Sequence, residues 1–255
     1  MNKYTVGILS VALLLFFSFK AGDKHIVLYI IGDSTAANKL PAAYPETGWG
    51  MALQSFFKKN VSVDNRALNG RSTKSFRVDK NGKTGEITDH WKPIVDQLSA
   101  GDYVFIEFGH NDEKTDKPDV GTSTADFKIN LVNYVNETRA KHAVPVLLTP
   151  IMRRSFVSGV LTDTHGGYPD VVRKVADSLK VPLIDMHRKT EKLITELGEE
   201  GSVKLFNHVP VGHANYPKGK EDNTHLSPLG ASRIAGLVVE GIKELALPLV
   251  SGLQK

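Results

Sequence analysis

The sequence predicts an α/β fold, a three-layer α/β/α sandwich around a mostly parallel five-stranded sheet. Three observations carry this reading. Short apolar runs without alternation recur along the chain, as in strands covered on both faces. Segments with apolar residues three and four apart lie between them, as in helices that bury one face. The two kinds of segment alternate, which is the order that lays helices over both faces of one parallel sheet.

The first strand is expected at residues 25–31 (HIVLYII). Residues 102–108 (DYVFIEF), 144–149 (VPVLLT) and 181–186 (VPLIDM) have the same character, and 61–67 (VSVDNRA) is a weaker fifth. Phe127, Leu131 and Val135 set a helix within 124–141, and Val171, Val172, Val175, Ala176 and Leu179 set another within 168–180. Ala231, Ile234, Val238, Ile242 and Leu245 form the stripe of the last helix. Ser227 is its expected cap, and Pro228 suits the first helical position. Five strands imply a flavodoxin-like order, with the site beyond the carboxyl ends of the strands. Long loops are expected at 32–47, 68–90, 109–123, 150–167 and 201–226, and long loops at one end of a sheet are where function concentrates.

Composition narrows the function. A chain of 255 residues with 41% hydrophobic and 24% charged residues can build one large core, which excludes disordered and fibrous classes. It has no cysteine, so it has no disulfide, thiolate metal site or cysteine nucleophile. Lys3 and Lys20 bracket an apolar run over 6–19, too short to span a bilayer and typical of a secretory signal peptide. The expectation is a signal peptide at 1–22, a single catalytic domain at 23–255, and export to the periplasm or the extracellular space. Phe19 makes a poor cleavage position. The formal charge of +4 is halved by removing Lys3 and Lys20, and no basic cluster remains. Nucleic acid is therefore not an expected partner, nor is a stable membrane partner.

Four blocks carry chemistry. Gly32-Asp33-Ser34-Thr35 places a serine where the first strand stops. Asp222-Asn223-Thr224-His225 puts a carboxylate one turn from an imidazole, so that Asp can orient the ring and leave Nε2 to take a hydroxyl proton. Asn69-Gly70 follows the second strand and Gly109-His110-Asn111-Asp112 the third. A glycine N–H and an asparagine amide at such places are suitable donors to a developing oxyanion.

In this order the blocks resemble the SGNH (GDSL-type) hydrolase superfamily, and the resemblance spans residues 32–225. Gly70-Arg71-Ser72-x-x-Ser75-Phe76, Tyr168-Pro169, residues 181–185 and Asp222–Ser227 look closest to rhamnogalacturonan acetylesterases. A departure is Glu107, where Gln is expected. The resemblance implies the SGNH hydrolase fold and removal of acetyl groups from pectic polysaccharide. It implies Ser34 as nucleophile, His225 as base and Asp222 as its orienter. It further implies an oxyanion hole from the Ser34 N–H, the Gly70 N–H and the Asn111 side chain, with no metal and no cofactor. Arg71, Arg153 and Arg154 are expected to face the carboxylates of galacturonate, since guanidinium forks suit carboxylates. The expected partner is an acetylated pectic polysaccharide or oligosaccharide. Alternatives are another acetylated glycan such as xylan, a small ester, or a non-catalytic carbohydrate-binding protein.

Other enzyme classes fit less well. Gly32-Asp33-Ser34-Thr35-Ala36 approaches the α/β-hydrolase elbow, but that fold places its serine well inside the chain. His208, His213 and His165 lack the spacing of a helical zinc motif.

Overall fold

The computed structural model describes residues 25–254, and the expected signal peptide lies outside the described residues. β1 (Ile26–Gly32) is followed by α1 (Trp49–Leu53), β2 (Val61–Asn65), a hairpin of β3 (Asp79–Lys80) and β4 (Ile87–Thr88), and α2 (Lys92–Gln97). Then come β5 (Tyr103–Glu107), α3 (Thr124–Ala140), β6 (Val144–Leu148) and a hairpin of β7 (Phe156–Val157) and β8 (Val160–Leu161). The chain continues through α4 (Tyr168–Leu179), β9 (Leu183–Ile184), α5 (Met186–Ser202) and α6 (Pro228–Glu244).

The main sheet has the order β2-β1-β5-β6-β9 with every pairing parallel, the flavodoxin-like arrangement the sequence predicts. Side chains along each strand alternate between its two faces. Leu28, Ile30, Phe105, Val146 and Leu148 pack with residues of α1, α5 and α6 on one side. Tyr29, Ile31, Val104, Ile106 and Leu147 pack with residues of α2, α3 and α4 on the other. Both faces are therefore buried, which is why the strand sequences are unbroken apolar runs.

Two expectations change. The last strand is only Leu183–Ile184, because Asp185 accepts from the Arg188 N–H at 3.3 Å and starts α5 there. α5 itself lies where no helix was expected. Seven of its 17 residues are charged; it buries Met186 and Ile194 fully, and Leu193 and Leu197 pack against the same core. The loops at 68–90 and 150–167 each carry a small hairpin.

α6 begins as expected. Ser227 Oγ accepts from the Gly230 N–H at 3.1 Å, and Pro228 takes the first turn. That start is fixed three residues after His225, so the helix positions the histidine loop.

Candidate active site

The turn after β1 is shaped by its own side chains. Asp33 Oδ1 accepts from the Thr35 N–H at 3.0 Å, and the Asp33 carbonyl accepts from the Ala37 N–H at 3.0 Å. An aspartate closing a turn on the residue two ahead is ordinary local chemistry. Here it buries Asp33 and Thr35 and leaves the intervening Ser34 partly open. Gly32 is required at the strand end, because a Cβ there would lie 2.5 Å from the Glu107 carbonyl oxygen of the neighbouring strand.

The loop before α6 folds the same way. Asp222 Oδ1 accepts from the N–H groups of Thr224 and His225, both at 2.9 Å. Its Oδ2 pairs with His225 Nδ1 at 2.8 Å, and His225 Nε2 lies 2.9 Å from Ser34 Oγ. Three side chains separated by nearly two hundred residues thus form one hydrogen-bonded line. Burial alone would raise the Asp222 carboxyl. The bond from the His225 side chain, the two backbone donors and the imidazole charge outweigh burial and hold Asp222 far below the usual carboxylate range. An ionised Asp222 keeps the Nδ1 proton on the ring's inner side and leaves Nε2 to accept from Ser34.

The loops of Gly70 and Asn111 are tied toward the serine turn: Lys39 bridges the Ser34 carbonyl and Asn69, and Asn111 reaches the Arg71 carbonyl. No hydrogen bond within the described residues engages the Ser34 or Gly70 N–H. Gly70 has φ 75°, a conformation that favours glycine, and open space where a Cβ would be. Asn111 is buried. Its Nδ2 donates one hydrogen to the Arg71 carbonyl at 3.0 Å, and its Oδ1 accepts from Lys114 at 2.7 Å. The second Nδ2 hydrogen remains available.

The arginines expected at substrate are engaged inside the chain. Arg71 pairs with Asp79 at 2.5 Å, although its Nε is buried without a partner. Arg153 pairs with Glu113 and donates to Thr164 Oγ1 at 3.0 Å. Arg154 donates to the Glu199 carbonyl at 2.6 and 3.1 Å and to Asn223 Oδ1 at 3.0 Å. The Glu199 carbonyl lies just past a break in α5 at Gly198, φ 70°. Asn223 stands between Asp222 and Thr224, so Arg154 anchors the loop of Asp222 and His225.

A set of contacts that sequence reading missed lies behind Ser34. The Lys39 side chain is 2% exposed. Its Nζ donates to the Ser34 carbonyl at 2.6 Å and to Asn69 Oδ1 at 2.7 Å, and it pairs with Glu46 at 2.8 Å. Glu46 also meets Lys220 at 3.3 Å, and Lys220 meets Asp222 at 3.0 Å. Alternating charges therefore link the serine turn to the acid loop. Among the described residues, Glu46, Asp222 and His225 are the one group whose ligand atoms lie close enough for a metal ion. The Lys220 ammonium already contacts both carboxylates, and His225 Nδ1 is held by Asp222. The donor set fits an ion-pair network better than a cation.

Residues 30–233 match the GDSL-like Lipase/Acylhydrolase family. The chain is 40% identical over 228 residues to the rhamnogalacturonan acetylesterase RhgT of Bacillus subtilis, covering 89% of this chain and 93% of that one. It is 26% identical over 235 residues to the rhamnogalacturonan acetylesterase of Emericella nidulans, covering 84% of each. In solved structures, a Bacillus subtilis protein superposes with TM-score 0.72 at 25% identity, over 88% of this chain and 58% of that one. Axe2, an acetylxylan esterase from Geobacillus stearothermophilus, superposes with TM-score 0.58 at 18% identity, over 86% and 94%. A match across most of the sequence, with a nearly coextensive relative at 40% identity, shows that the chain belongs to the GDSL-like lipase/acylhydrolase family.

Proposed function

We propose that the protein is a carbohydrate O-acetylesterase that removes acetyl groups from pectic rhamnogalacturonan through an acyl-enzyme on Ser34. The observation that carries this reading is the line Asp222–His225–Ser34 beside two unengaged backbone N–H groups. The names of the curated relatives supply the substrate class.

In this reading Ser34 Oγ attacks the acetyl carbonyl carbon while His225 Nε2 takes its proton. The carbonyl oxygen becomes an oxyanion facing Ser34 N–H, Gly70 N–H and Asn111 Nδ2, each such donor contributing about 3 kcal/mol to the transition state. The imidazolium, paired with Asp222, then protonates the departing sugar oxygen. Water attacks the acetyl-serine by the same route, releasing acetate and restoring the hydroxyl. We assign the expected signal segment the task of exporting the enzyme to a compartment where plant-wall polymer is accessible.

Acetate release from acetylated rhamnogalacturonan, acetylated xylan and a neutral chromogenic acetate tests the proposal. The pectic polymer is expected to be the best of the three substrates, and Ser34→Ala is expected to lose at least about 10³-fold in kcat on all of them. Equal activity of the alanine variant would remove Ser34 from the mechanism. A preference for xylan would replace the substrate while leaving the chemistry.

A further inference from the structure

Glu107 ends β5, is fully buried, and takes no part in the steps above. Its oxygens have three neighbours. Trp49 Nε1 donates to Oε2 at 3.0 Å, and the Ile151 N–H donates to Oε1 at 3.3 Å. The Thr35 hydroxyl lies 3.1 Å from Oε2 and 3.3 Å from Oε1. The same hydroxyl lies 2.9 Å from Asp33 Oδ1. Two carboxyl groups therefore face one hydroxyl, and a hydroxyl has a single hydrogen to give. The shorter contact assigns that hydrogen to Asp33. Glu107 then keeps its contact with Thr35 only as a donor, which requires a proton on its own carboxyl.

The alternative places two negative charges around one buried hydroxyl. Like-charged carboxylates in a water-free site do not both stay ionised. The titratable groups that face Glu107 are Asp33 and, beyond it, His110, whose Nδ1 is 3.3 Å from Asp33 Oδ2 without the alignment of a hydrogen bond. The contacts from Trp49 and Ile151 are uncharged. Burial, reinforced by the Asp33 charge, pushes Glu107 up to about 8. Burial also acts to raise Asp33, but the His110 ring and the two Thr35 donors outweigh it and hold that carboxyl at about 2. His110 is itself lowered to about 4 by burial, so its charge assists Asp33 only in acid; at neutral pH the two Thr35 donors favour the Asp33 carboxylate. The shared proton thus belongs on Glu107.

We infer that Glu107 is a positioning residue that acts as a neutral acid, donating to Thr35 Oγ1 while Thr35 donates to the Asp33 carboxylate, so that the chain fixes the turn presenting Ser34. The inference rests on the reading of Ser34 as nucleophile. Its consequence is an alkaline limit to activity. Loss of the Glu107 proton breaks the first link and places a second negative charge against the Thr35 hydroxyl, one residue from Ser34, where it opposes the growing oxyanion.

The test uses the full chain, a neutral acetate ester, and kcat/KM from about pH 5 to about pH 10. Wild type is expected to lose activity through a midpoint near the value of about 8 given above. Glu107→Gln can donate from its amide to Thr35 and accept from Trp49, giving up only the long Ile151 contact. It should hold activity within about tenfold of wild type at neutral pH and show no fall until about pH 9.5. An alkaline limb that persists in Glu107→Gln, or is missing from wild type, overturns the inference. A second readout is independent of turnover. In wild type labelled with ¹³C at glutamate side-chain carboxyls, one resonance should titrate in the same range as the rate, and it should be absent from the Gln variant. The label leaves Asp112 silent, which burial pushes up to about 7. Should Glu107→Gln fail to fold, the wild-type spectrum decides, and no glutamate titrating between about pH 7 and about pH 9.5 overturns the inference. If the chain hydrolyses no ester at all, the esterase reading fails, while the carboxyl spectrum still judges the proton.

Discussion

Ser34, Asp222 and His225 sit in short contiguous blocks, so each could be singled out before the contacts that join them were known. Asp33 and Asp222 each close a turn on their own backbone, a relation between near neighbours that sequence spacing records. Lys39 is different. It lies in a loop whose sequence does not mark its ammonium for burial, yet it holds the Ser34 peptide, the Asn69 side chain and Glu46 together. Removing it frees both the nucleophile turn and the Asn69–Gly70 loop from a common anchor. Lys39→Met is expected to lower kcat by about 10²-fold, the scale on which small misplacements act. Steady-state kinetics on the chromogenic acetate, with circular dichroism as a check of folding, measures this. A kcat within a factor of about two of wild type would show that the anchor is dispensable.

At the scale of elements, three of the long helices were predicted from apolar residues three and four apart, and α5 was not. α3, α4 and α6 follow the expected periodicities, and α6 starts at its expected cap. α5 escaped because its apolar face of Leu193, Ile194 and Leu197 is short and flanked by charged residues, and because Gly198 interrupts it. That interruption has a use, since Arg154 reaches the Glu199 carbonyl beyond it and Asn223 beside the acid. α6 is held equally closely at its start. A Cβ on Gly230 would lie 1.8 Å from the Leu205 carbonyl oxygen, so the helix and the backbone at 205 touch without a side chain between them. Gly230→Ala forces them apart. The expected cost is about 1–3 kcal/mol, read as a lower urea midpoint, with a fall in kcat because the displaced helix begins three residues after His225. An unchanged midpoint would mean that the contact yields freely.

For the molecule as a whole, the buried ionisable groups define a pH window. Asp33, Asp185 and Asp222, all opposed by burial, are nevertheless held below their ordinary values by hydrogen bonds and nearby positive groups. A carboxyl lowered by folding stabilises above its unfolded value of about 4 and loses that contribution as pH falls through its folded value. Burial raises Glu107 to about 8 and Asp112 to about 7, so the sign reverses and their contribution is lost as pH rises through those values. His110, lowered to about 4 by burial, favours folding more as pH rises toward the unfolded imidazole value, and so moves the optimum up within the window. Thermal melts should therefore give the highest Tm between about pH 4.5 and about pH 7, falling on both sides. A Tm that climbs steadily to about pH 9 would contradict the buried neutral carboxyls.

The sequence by itself determined the layer order, the strand order and the four blocks that bear chemistry, because these depend on periodicity and on contacts between close neighbours in the chain. Only the tertiary structure decided how Lys39, Glu46 and Lys220 connect the two halves of the site, that the guanidinium of Arg154 is engaged by Glu199 and Asn223, and that Glu107 and Asp33 meet around one hydroxyl. Those contacts join residues from distant segments. They are set by where strand ends and loops converge in space, and local pattern carries no record of that convergence.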